Sequence, residues 1–179
     1  MQRVVLLWLL ILVACSQPAA PTPMAGMDHA MGHGSEAPYD ALFIDSMIEH
    51  HEGAITMAQQ VLQESRDERI RQLAEAILAT QAAEIDQMRQ WRQAWYPDVP
   101  PTGGMGMEMG PMAVPDGDGP FDRRFLEAMI PHHEGAVAMA RDALQKAEHA
   151  EIRELAQAII TAQEAEIVQM KQWLAEFGR

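Results

Sequence analysis

Cysteine is nearly absent: Cys15 is the single thiol in 179 residues. Intramolecular disulfides are therefore excluded, and so is a thiolate metal cluster. Any soft ligand must be methionine, of which there are 14. Basic side chains are scarce too, 13 against 26 acidic ones, for a formal charge of -13. That balance argues against nucleic-acid phosphates as a partner and fits a surface that attracts cations. No stretch alternates apolar and polar residues with period two, so strands are not expected. After the first residues no run is apolar enough to cross a bilayer. The length allows one domain with a substantial core.

The first residues read as export machinery. Arg3 supplies a positive charge, Val4 to Val13 form an apolar run too short to span a membrane, and Leu12-Val13-Ala14-Cys15 ends it. This resembles a bacterial lipobox, which implies lipidation of Cys15 and a mature protein beginning there. Residues 1–15 are then a lipoprotein signal peptide. The expected location is the membrane surface, facing the periplasm or the cell exterior. Residues 16–37, rich in Pro, Ala, Gly, Met and His, read as a disordered tether.

What is abundant is repetition. Pro38-Tyr39-Asp40, followed by Met47-Ile48-Glu49-His50-His51-Glu52-Gly53-Ala54, returns as Pro120-Phe121-Asp122 and Met129-Ile130-Pro131-His132-His133-Glu134-Gly135-Ala136. The register holds through Gln81, Glu84, Met88 and Trp91, which return as Gln163, Glu166, Met170 and Trp173. A fixed offset means one supersecondary unit used twice, here residues 38–97 and 120–179 joined by a Met/Gly/Pro linker over 98–119.

Helical periodicity predicts segments at about 39–64, 67–95, 121–147 and 149–177. Phe43, Ile44, Met47, Ala54, Ala58 and Val61 share one stripe of the first. Ile70, Leu73, Ala74, Ile77, Ile85, Met88 and Trp91 share one stripe of the second. A lone hairpin leaves such stripes exposed. Two facing hairpins bury them, so the expected fold is an all-α antiparallel four-helix bundle with internal pseudo-two-fold symmetry. It would be a monomer, or a dimer formed by swapping hairpins.

The stripes also carry polar residues that a bundle core does not want. His50 and His51 flank the arc of Met47 and Ala54, and Gln81 and Glu84 lie between Ile77 and Met88. An inward carboxylate is costly unless paired or bound to a cation. With the turn near Arg66, equal rise per residue puts His50, His51, Gln81 and Glu84 at one level. Met47 and Met88 fall in the next layer. His132, His133, Gln163, Glu166, Met129 and Met170 repeat the arrangement. Imidazole, carboxylate and thioether together suit a metal ion, with copper favoured by the thioether and zinc or iron compatible with the rest. The competing reading is a hydrogen-bonded His/Glu pair that fixes register.

Other residues rank lower. Glu52 and Glu134 turn away from the stripe, and Met57 and Met139 lie at its edge. Gly53 and Gly135 are each unfavourable in a helix by about 1 kcal/mol against alanine, which suggests close helix approach. Pro131 either kinks the third helix before His132 or starts a new segment. Met24, Met27, His29, Met31 and His33 in the tether, and Met105, Met107, Met109 and Met112 in the linker, are weaker candidates. In a flexible polar segment methionine buries nothing, while thioether and imidazole wrap a soft ion.

The string His-His-Glu-Gly-Ala-Ile/Val-x-Met-Ala, followed by Gln-x-x-Glu-Ile-x-x-Met-x-x-Trp, resembles the DUF305 family over Pro38 to Phe177 in two copies. The resemblance implies a ferritin-like four-helix bundle of exported bacterial proteins. It also implies copper binding or copper tolerance, through Met47, His50, His51, Met57 and Met88 and their counterparts Met129, His132, His133, Met139 and Met170. The Glu-x-x-His pattern of di-iron bundles is missing, since Met47 and Ile48 precede His50 and His51 at that spacing. No catalytic residue is assigned. The alternatives to a copper protein are a metal-dependent envelope enzyme and a metal-free helical interaction module.

Overall fold

The computed structural model describes residues 37–177. Four helices follow in order: α1 Tyr39–Glu64, α2 Glu68–Trp95, α3 Phe121–Lys146 and α4 Ala150–Leu174. They match the periodicity closely. The fourth differs most, ending at Leu174 and continuing to Phe177 as a turn. Pro38 and Pro120, with φ of -51° and -59°, stand just before α1 and α3, where a missing amide hydrogen costs nothing. Three-residue connections, 65–67 and 147–149, fold each pair into an antiparallel hairpin.

The apolar stripes form one core. Phe43, Ile44, Met47, Ala54, Ala58 and Val61 are fully buried, as are Ile70, Ala74 and Met88. Phe125, Leu126, Met129, Ile152 and Met170 match them in the second half. Each such Phe, Leu, Ile or Met contributes about 1.5–3 kcal/mol by leaving water. The hairpins meet mainly through α1 against α3. These two helices are buried around much of their circumference, whereas α2 and α4 bury a single stripe.

The reason for that difference is the linker, which corrects the expectation of a loose tether there. It packs in the groove of α1 and α3, opposite α2 and α4. Thr102 N donates to Asp45 Oδ2 (2.8 Å), Met105 N to Ser46 Oγ (2.8 Å) and Val114 N to Gln60 Oε1 (3.0 Å). The segment therefore runs alongside α1 in the same direction. Arg92 anchors its start, donating to the carbonyls of Tyr96 (2.6 Å), Val99 (2.9 Å) and Pro100 (3.0 Å) while paired with Asp45 (2.9 Å). Val114 is buried and Met105 and Met107 pack against the core, so these methionines do bury surface. Gly110 has φ +69°, and a Cβ there would stand 2.8 Å from the His132 Cα. Only glycine suits that position.

Two further features fix the hairpins. Asp40, fully buried, accepts from Glu148 N (3.0 Å), His149 N (2.9 Å) and His149 Nδ1 (2.7 Å), tying α1 to the turn before α4. Pro131 lies exposed inside an unbroken α3, so it does not begin a new segment.

Candidate metal centre

His50, His51, His132 and His133 are all fully buried. Consecutive positions on a helix point about 100° apart, so each helix sends one ring toward its hairpin partner and one toward the other hairpin. His51 Nε2 meets Glu84 Oε2 at 2.7 Å, and His133 Nε2 meets Glu166 Oε2 at 2.7 Å. The shared level inferred from chain length on either side of the turn is thus real. His50 and His132 instead stack across α1 and α3, with centroids 3.7 Å apart and planes 26° from parallel. His132 Nε2 donates to the backbone oxygen of His50 (3.0 Å).

These bonds fix the tautomers and leave a surplus of lone pairs. A nitrogen facing a carboxylate or carbonyl carries the proton, so the other nitrogen of a neutral ring is an acceptor. His51 Nδ1, His132 Nδ1, His133 Nδ1 and both nitrogens of His50 have no hydrogen-bond partner among the described residues. A buried polar atom left unpaired costs about 1–3 kcal/mol. Protonation does not relieve it. Burial, reinforced by neighbouring histidines, pushes His50 down to about 2 and His132 to about 4. The stacked rings are neutral at physiological pH.

Glu84 and Glu166 each hold one imidazole. Their side chains keep 17% and 24% exposure, so each reaches inward from the edge of its helix. With Gln81 and Gln163, whose Oε1 atoms are also unpartnered, they line a narrow slot between α2 and α4. Among the described residues no three His, Asp or Glu side chains are placed to hold a metal by themselves.

Six helix methionines lie in the same core. Met47, Met57, Met88, Met129, Met139 and Met170 are fully buried. On the linker side, a Cβ on Gly53 would stand 2.7 Å from Met112 Cε, 2.8 Å from Met112 Sδ and 3.1 Å from His132 Cε1. One on Gly135 would meet Glu108 O at 2.9 Å and His50 Nε2 at 3.3 Å. The glycines thus make room first for the linker and then for the opposite helix's histidine, which corrects the simpler expectation of helix against helix. Met112 is a neighbour of the histidine layer that helical periodicity could not reveal. Glu52 and Glu134 lie at the surface, paired with Arg89 (2.8 Å) and Lys171 (2.7 Å). Cys15, Met24, Met27, His29, Met31 and His33 lie outside the described residues.

Residues 17–92 and 40–174 match the domain of unknown function DUF305. The chain belongs to the DUF305 family. Among solved structures it is similar to CopM in the Cu(II)-bound form, at 38% identity and a TM-score of 0.66, covering 76% of this chain and 96% of that one. CopM in the Cu(I)-bound form gives 37% identity, a TM-score of 0.66 and the same coverage. A DUF305 protein from Streptomyces coelicolor is 30% identical with a TM-score of 0.65, covering 79% of this chain and 94% of its own. Uncharacterized protein L153 of Acanthamoeba polyphaga mimivirus is 41% identical over 49 residues, 27% of this chain and 32% of that relative. The chain thus spans about a third of that curated relative's length.

Proposed function

We propose that this DUF305 chain binds copper, as Cu(I), in the buried histidine layer. The observation that carries the reading is the set of unpartnered imidazole nitrogens on His50, His51, His132 and His133. Neutral and buried, each ring offers one lone pair to a metal ion. Glu84 and Glu166 act as the outer partners that fix ring orientation and raise basicity, as carboxylates behind metal-bound histidines do. Gln81 and Gln163 present amide oxygens from the slot side. Met47, Met57, Met88, Met129 and Met170 supply thioethers to the same core. An imidazole and thioether set suits Cu(I) better than zinc or iron. The similarity to CopM, solved with Cu(I), Cu(II) and silver, supports copper as the metal.

The role that fits is sequestration or transfer of copper at the cell envelope, with a lipid anchor at Cys15 as its leader sequence suggests. Turnover is not part of the proposal. Competition against a chromophoric Cu(I) chelator tests the site. The His50→Ala/His132→Ala protein should bind Cu(I) at least about 100-fold more weakly than the parent. Equal affinity would remove the folded layer from consideration.

A further inference from the structure

The linker creates a second space beside the histidine layer, lined by none of the four histidines. It encloses about 210 Å³ and is lined by Met105, Met107 and Met109 of the linker, Met139 of α3, and Ser46 and Glu49 of α1. Met139 is fully buried and the three linker methionines are half-buried. Met105 and Met107 also line a wider, open cleft of about 410 Å³ beside Tyr39, Asp142 and Lys146. They therefore form the wall between solvent and the inner cavity.

We propose that this cavity is a second site for a soft monovalent cation, Cu(I) or Ag(I), bound by the thioethers of Met105, Met107 and Met109 with Met139 behind them. Four methionines line this one partly open space, beside only Ser46, Glu49 and glycines. Methionine has a flexible stem and a polarizable sulfur, so it closes on an ion that leucine would only exclude. Glu49, exposed on the wall, adds negative charge where a cation enters. The linker is held through its backbone amides, by Asp45, Ser46 and Gln60, so its position does not depend on the methionine side chains. The next linker residues reach the histidines, since Glu108, Met109 and His50 Nε2 all crowd Gly135. An ion held here stands on the path from the open cleft to the imidazole layer.

The test is a titration of the full chain, with 13C-labelled methionine methyl groups, by silver(I), a stand-in for Cu(I) that does not oxidise. The methyl signals of Met105, Met107 and Met109 should shift together. The Met105→Leu/Met107→Leu/Met109→Leu variant, nearly matched in volume, should keep its helical circular dichroism and bind about one fewer silver ion per chain. Unmoved methyl signals, or an undiminished silver complement in that variant, would overturn the proposal. Histidine ring signals report the other site separately. A histidine response without the linker methyl response sinks this site alone. A methyl response without the histidine response supports it and sinks the histidine layer.

Discussion

Glu84 and Glu166 each give one carboxylate oxygen to a buried imidazole 2.7 Å away. Removing either should release a ring without emptying the core. Glu84→Gln is expected to weaken Cu(I) binding by about 10–100-fold at nearly unchanged melting temperature, read by chelator competition and thermal unfolding. The two glycines make a sharper comparison. At Gly53 a methyl group meets the mobile end of Met112 most closely and the His132 ring at 3.1 Å, and alanine gains about 1 kcal/mol of helix propensity in return. At Gly135 it meets the backbone oxygen of Glu108, which gives way only if the linker moves. Urea unfolding should place Gly53→Ala within about 1 kcal/mol of the parent and Gly135→Ala about 1–3 kcal/mol below it. The histidine–glutamate pairs were legible in the sequence because helix rise and turn position fix their common level. The stacking of His50 on His132 was not, since periodicity places a residue on a face without naming its neighbour across the bundle. Met112 was legible as a linker methionine but not as a neighbour of His132, because an irregular segment carries no period.

At the scale of elements, the helices followed from their apolar spacing, and the structure places them nearly where that spacing puts them. The linker did not follow. Gly, Pro and Met between helices signal a break in periodicity, but the same residues also suit a chain pressed into a groove. There glycine permits close approach and methionine fills uneven space. Its anchoring is side chain to backbone, as with Ser46 Oγ on Met105 N, and no sequence pattern announces such bonds. Ser46→Ala should therefore speed amide exchange at residues 104–106 while leaving Val114, held by Gln60, unchanged. Exchange monitored by mass spectrometry distinguishes the two ends of the segment. Uniform loosening along the linker would contradict the anchoring described above.

The whole molecule joins two near copies, yet they are not equivalent. Asp40 is fully buried with three donors, whereas its counterpart Asp122 leaves Oδ1 without a partner among the described residues. The difference traces to the turns: Asp67 caps its own helix through Arg69 N (2.9 Å), while His149 in the matching place leans on Asp40. Asp40→Ala should cost about 2–4 kcal/mol and Asp122→Ala less than about 1 kcal/mol by chemical denaturation. Global stability should also depend on pH through the stacked rings. His50 and His132 remain neutral when folded but take up protons near 6.5 when unfolded, so the unfolded chain binds more protons below that value. The metal-free protein is expected to lose melting temperature as pH falls from about 6.5 toward 4, with little change above 7. Scanning calorimetry across that range checks the sign. The linker, finally, is a single strand of chain laid between two matching helices. A two-fold axis cannot pass through one covalent segment and leave both sides alike, so fusing the halves broke their symmetry at the histidines themselves. Gly53 faces a sulfur-bearing side chain and Gly135 a peptide oxygen. The two copies of the site should consequently fill in order rather than as equals, giving two distinguishable affinities from one repeated motif.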